Sequence, residues 1–137
     1  MATLRLEIVT PEKLAFEGDV DSVVIPGSEG ELGVLPQHIP LMTQIKPGEV
    51  VISVNGKKDY LAVGEGFATV TQERVNILTD MAIEWQHIDE SAAEAAIERA
   101  KVTLAGRHEL SEEEVASVQA SLLKSLAQLH VKRRHHS

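Results

Sequence analysis

The hydrophobic repeat of this chain changes period once, at Ile88. Ahead of that point apolar residues alternate; beyond it they recur every three or four positions. One such change divides the chain into a strand-built part, expected over 1–87, and a helical part, expected over 88–137. In the first part Leu4, Leu6 and Ile8 alternate with Thr3, Arg5 and Glu7, and Pro11 ends the run. Further short apolar runs follow at 14–16, 20–25, 32–35, 41–45, 49–54, 58–63, 67–71 and 74–78. Asn55-Gly56 separates two of them and favours a tight type I′ hairpin, because both central residues need positive φ. A second tight turn is expected near Gln72-Glu73. No helix-length periodic segment interrupts residues 1 to about 85, which argues against a parallel sheet with crossover helices. The pattern predicts an α+β fold: an N-terminal antiparallel β-sandwich followed by a C-terminal two-helix antiparallel hairpin.

The helical part carries its own punctuation. Asp89 suits an N-cap for a helix over 90–105, with Ala93, Ile97, Ala100 and Leu104 on one stripe. Gly106 is expected to stop it in the left-handed C′ role. Ser111 and Glu114 have capping-box spacing, and Leu110 and Val115 are placed for a hydrophobic staple. Val115, Val118, Leu122, Leu126 and Leu129 then form a second stripe. Glu112 to Glu114 at its start and Lys132, Arg133 and Arg134 at its end both favour the helix dipole. The first helix offers mainly Ala to its partner. A methyl group contributes about 0.8 kcal/mol on burial, against roughly 1.5–3 for a Leu. The expectation is a hairpin that opens at modest cost, its second helix carrying enough Leu and Val to bind something else.

Composition narrows the function. Hydrophobic residues make up 43% but aromatics only 3%, so the core must be Val, Ile, Leu and Ala. There is no cysteine, which excludes disulfides, thiolate metal sites and thiol nucleophiles. A net charge of -8 argues against nucleic-acid binding; the one dense basic run is Lys132-Arg133-Arg134, read by itself as a solvated end. No apolar run reaches the roughly 18 residues that cross a bilayer, and the alternating Met1 to Thr10 is not a signal peptide. Gly27 to Gly33 lacks the Gly-Lys-Ser/Thr of a phosphate loop, and no nucleophile elbow or His-Glu-x-x-His zinc helix occurs. A β-sandwich hydrolase with a dimerising helical tail would need convergent carboxylates or a Ser/His/Asp set, and no such spacing stands out. His130, His135 and His136 are expected on a mobile tail, where metal binding would be incidental. The reading is a non-catalytic protein without a cofactor.

The segment Pro26-Gly27-Ser28-Glu29-Gly30-Glu31-Leu32-Gly33-Val34-Leu35-Pro36-Gln37-His38-Ile39-Pro40-Leu41 resembles the signature of the F-type ATP synthase epsilon subunits. The runs Val63-Gly64-Glu65-Gly66-Phe67-Ala68-Thr69-Val70 and Val75-Asn76-Ile77-Leu78-Thr79-Asp80 resemble that family's second block, and Ile88-Asp89 opens the helical part at the expected place. The resemblance covers essentially the whole chain. It implies a non-catalytic rotor subunit of the central stalk, bound to the gamma subunit and seated on the ring of c subunits. It implies coupling of rotation to proton flow, and a hairpin that extends toward the alpha/beta catalytic head to inhibit ATP hydrolysis. It also implies a peripheral place on the cytoplasmic or stromal face of the membrane, reached only through the complex, in a protein of bacterial, cyanobacterial or chloroplast type.

The resemblance assigns residues too. Glu29, Glu31 and His38 match positions used against the c ring; Lys124, Lys132, Arg133 and Arg134 are the cations expected to meet an acidic segment of the catalytic subunits. Glycines 27, 30 and 33 are read as permitting tight turns, with Pro36 and Pro40 stiffening the exit. Some bacterial relatives bind ATP through Ile/Leu-Asp-x-x-Arg-Ala at the start of the first helix. Here Ile88-Asp89-Glu90-Ser91-Ala92-Ala93 keeps the Asp and the final Ala, but Ala92 stands where the Arg belongs. Leu122 and Leu126 look like the positions of further arginines. Asp89 is therefore a remnant, and weak or no ATP binding is expected, since phosphate needs cationic donors or a nest of backbone N–H groups. The alternative is a nucleotide-sensing adaptor whose hairpin binds ATP.

Overall fold

A computed structural model describes residues 3–135, apart from the Arg107 side chain. Ten strands precede two helices. They are β1 (Leu4–Val9), β2 (Leu14–Val20), β3 (Ser22–Gly27), β4 (Gly30–Val34), β5 (Leu41–Ile45), β6 (Gly48–Val54), β7 (Lys57–Val63), β8 (Gly66–Val70), β9 (Arg74–Thr79) and β10 (Ala82–Glu84). A 3-10 turn at Trp85–His87 leads into α1 (Glu90–Ala105), and a second at Arg107–Glu109 into α2 (Glu112–His135).

The strands pair in the order β10-β7-β6-β3-β5-β8-β9-β1-β2, with β4 on β3. A single pair, Gly27 with Ile45, joins β3 to β5. The two halves on either side of that joint enclose one core. Leu4, Leu6, Ile8, Ile25, Ile52, Leu61 and Ile77 are fully buried in it, almost all aliphatic as the aromatic-poor composition requires. The alternation that predicted the strands is the alternation that fills it: β1 is buried at every second residue.

Asn55 (φ 51) and Gly56 (φ 80) both take positive φ in the β6–β7 turn, the geometry of the predicted hairpin. One pair departs from the antiparallel expectation: β1 and β9 run parallel from Arg5–Arg74 to Val9–Leu78. The rest of the sandwich lies between them in sequence and serves as the long connection that parallel pairing needs. Gly66 belongs to a close approach of β8 to β9, where a Cβ would collide with the Leu78 carbonyl. Of the three signature glycines, Gly30 (φ +127) turns the β3–β4 hairpin and Gly27 packs against the Gly30 carbonyl. Gly33 makes no turn; it lies within β4 facing open space.

The helices begin as expected. Asp89 Oδ1 accepts from the Ala92 N–H (3.0 Å), and the Ser111–Glu114 capping box is complete in both directions (3.1 and 3.4 Å). Gly106 is not left-handed (φ -98); α1 ends instead by tightening into the 3-10 turn, its Gly106 N–H bonding the Thr103 carbonyl (3.2 Å). Ala93, Ile97 and Ala100 are buried in α1. In α2 the most buried positions are Ala127 and Val131 rather than the expected stripe, and Leu126 is exposed. The reason is that α2 packs against α1 and against β6 and β7 together, so its covered face lies between two neighbours.

Candidate interaction surfaces

The sandwich has two outer faces, and they differ. The face of β6, β7 and β10 is covered by the hairpin. Ala62, Ile88 and Val131 form a small buried cluster there, with Tyr60, Met81, Ile83 and Trp85 packed around it. The opposite face is bare. Phe67 on β8, Leu78 on β9, Val9 on β1 and Leu14 on β2 stand side by side in register. Phe67, Leu78 and Leu14 are 50%, 54% and 51% exposed. In the next row, exposed Met42 on β5 pairs with Thr69, which pairs with Asn76, whose buried Oδ1 accepts no hydrogen bond. A contiguous apolar row beside an unsatisfied acceptor is a surface suited to a partner.

Glu29, Glu31 and His38 do not form one cluster. Glu29 is at the tip of the β3–β4 hairpin and Glu31 is exposed one residue into β4, paired with Pro26. His38 lies beyond the other end of β4, a strand of five residues or roughly 16 Å at 3.3 Å each. There Gln37 (φ 73) donates its N–H to the Gln72 carbonyl (2.8 Å) of the β8–β9 turn, and His38 Nδ1 lies 2.7 Å from the Ile39 carbonyl. Leu35 and Ile39 beside it are exposed.

The basic run is helical and paired within the chain, although Arg133 and Arg134 stay more than half exposed. Lys132 to His135 make up the last turn of α2, and between them they reach the turn before α1, α1 itself, β6 and β7. Lys132 Nζ donates to the Trp85 carbonyl (3.2 Å) and sits 5.3 Å over the Trp85 ring. Arg133 donates to Glu90 (2.9 Å) and Glu94 (2.7 Å) on α1, and those hydrogen bonds raise its pKa further above the usual guanidinium value. Arg134 donates to Glu49 on β6 (3.1 Å). His135 Nε2 lies 2.6 Å from Glu49 Oε2, and its ring stacks on Tyr60 of β7. Two turns earlier along α2, Lys124 pairs with Asp80 (3.7 Å). All four cations assigned to a partner are thus held by carboxylates or carbonyls of their own chain. His135 is packed in place, which corrects the expectation of a mobile histidine tail; His130 is exposed on the same helix, and His136 lies outside the described residues.

Sequence reasoning missed Glu49, Tyr60 and Trp85. A signal existed for each: Glu49 is an acid at the start of an apolar strand, and the other two are the chain's single Tyr and single Trp. Asp89 spends its carboxylate on capping α1. No helix among the described residues is long and apolar enough to cross a membrane.

The chain is 37% identical over 142 residues to the ATP synthase epsilon chain of Chromobacterium violaceum, covering 99% of this chain and 100% of that one. It is 41% identical to the epsilon chain of Stenotrophomonas maltophilia over 94% of this chain and 91% of that one. Among solved structures, a chain of the Euglena gracilis mitochondrial ATP synthase superposes with a TM-score of 0.76 at 25% identity, covering 93% of this chain and 79% of that one. A chain from the central stalk and c-ring of the Tetrahymena thermophila mitochondrial ATP synthase shares the fold, with a TM-score of 0.53 at 14% identity over 62% of this chain and 69% of that one. Residues 3–85 match the family described as the ATP synthase delta/epsilon chain β-sandwich domain, and the chain belongs to that family.

Proposed function

We propose that this chain is a non-catalytic rotor subunit of an F-type ATP synthase, with one sandwich face for the stalk, one sandwich end for the ring and a hairpin that restrains ATP hydrolysis. The observation that carries this reading is the inequality of the two outer faces. One is covered by a hairpin held at its basic end; the other presents Phe67, Leu78, Val9 and Leu14, half-exposed or partly exposed, with no helix laid across them among the described residues. The gamma subunit is the partner assigned to the bare face. Glu29, Glu31 and His38 are assigned to the c ring, where their spread along β4 suits contact with several polar loops rather than one pocket.

The regulatory part of the reading rests on the cations of α2. Lys124, Lys132 and Arg134 are satisfied by Asp80, Trp85 and Glu49 while the hairpin is docked and become available when it leaves; Arg133, paired with Glu90 and Glu94 of α1, follows when the two helices separate. Extended along the stalk, they would meet an acidic surface of the alpha/beta head, an attraction weakened by salt. We assign residues 88–137 to regulation and 1–87 to anchoring.

The test is ATP hydrolysis by a catalytic head complex depleted of its own epsilon subunit. Full-length chain is expected to inhibit, and chain truncated after His87 to bind gamma without inhibiting. Equal inhibition by both would remove the regulatory role from the hairpin. Failure of either to bind gamma would overturn the assignment of the bare face. ATP titration at millimolar concentration separates the adaptor alternative; no saturable binding is expected.

A further inference from the structure

We propose that His135 and Glu49 form a proton-sensitive latch: the hairpin is held on the sandwich when the imidazole is charged and loosens when it is neutral. The two residues are 86 apart in sequence and join the last turn of α2 to β6. Glu49 is the one buried acidic residue among the described residues, its side chain 6% exposed. A buried carboxylate is costly unless cations and donors satisfy it. Arg134 supplies a permanent cation at 3.1 Å. His135, 15% exposed and 2.6 Å away, supplies a second only while protonated.

The surroundings leave the proton on His135 as the variable. From β7, the Tyr60 ring lies flat beneath it. From the turn before α1, Trp85 stands with its centroid 6.2 Å away, under the Lys132 ammonium. On its own helix Arg134 is committed to Glu49, while Arg133 is turned toward Glu90 and Glu94 on α1. Among the described residues Glu49 is the one carboxylate that reaches the imidazole, so charging His135 strengthens the contact and neutralising it weakens the contact. The latch is therefore closed at the acid end and released as pH rises.

The apolar part of the docking surface is small, centred on Ala62, Ile88 and Val131, so a single hydrogen bond weighs heavily in the balance. A charge-assisted hydrogen bond is roughly twice as strong as a neutral one, which corresponds to roughly a fivefold change in the ratio of docked to open hairpin. The same release frees Lys132 and Arg134, while Arg133 stays paired with Glu90 and Glu94 of α1 inside the hairpin. The latch concerns docking within the isolated chain and stands whether or not the hairpin inhibits hydrolysis.

The test is amide hydrogen exchange of α2 in the full chain from about pH 5.5 to 8.5, corrected for intrinsic exchange, with the fluorescence of Trp85 followed in parallel. The expected result is a roughly fivefold fall in protection of residues 127–135 with rising pH. His135→Gln keeps a donor but cannot take the charge, and should show no such response. Glu49→Gln should lose it as well, and open more at the acid end. Unchanged protection in the unaltered chain, or the same pH response in either variant, overturns the latch. NMR of the unaltered chain gives a reading free of substitution: the Tyr60 ring signals should move together with the His135 titration, and a Tyr60 signal indifferent to it would also overturn the proposal.

Discussion

The imidazole of His135 lies flat on the ring of Tyr60, with centroids 3.5 Å apart and planes inclined by 19°. The contact joins the last turn of α2 to β7, the strand beside the β10 edge. It makes the last turn of α2 the place where α1, β6, β7 and the connecting turn are fastened together. Tyr60→Ala should therefore weaken hairpin docking while leaving the core intact, because the ring belongs to the outer face. A stacked pair contributes about 1 kcal/mol beyond its area. Limited proteolysis in α2 should speed up several-fold with little change in the melting midpoint of the sandwich.

Gly66→Ala should act on the sandwich and not on the hairpin. The new methyl would meet the Leu78 carbonyl, which is backbone and cannot rotate away. Overpacking of this kind costs about 3 kcal/mol. A thermal melt should show the midpoint falling by roughly 10 °C.

Ser111→Ala removes the side chain that accepts from the Glu114 N–H (3.1 Å). The loss should be about 1 kcal/mol, confined to the first turn of α2. Faster amide exchange at Glu114 and Val115, with the last turn of α2 unaffected, is the expected pattern.

Leu78→Glu places a charge in the middle of the exposed apolar row without touching the core, since Leu78 points outward between the buried Ile77 and Thr79. The melting midpoint should hold. Affinity for the gamma subunit should fall at least about tenfold, as expected when the centre of an interface is disrupted. Unchanged affinity, measured by titration calorimetry, would show that gamma docks elsewhere.

The sequence by itself determined the elements. Alternation at Leu4, Leu6 and Ile8 is a local property of the strand, and a hairpin at Asn55-Gly56 follows from the φ each residue tolerates. The caps at Asp89 and Ser111 were equally legible, because a cap is made by residues three apart. Family membership was legible for a similar reason: its signature is a contiguous string. What the tertiary structure decided is pairing across distance. Only the folded chain brings Glu49 against Arg134 and His135, sets Trp85 under Lys132, and aligns Phe67, Leu78, Val9 and Leu14 from four strands into one row. Periodicity reports which face of an element is covered, not which element covers it. A run of Lys and Arg at the end of a helix therefore reads as a free tail until its carboxylate partners, 39 to 85 residues away, are placed beside it.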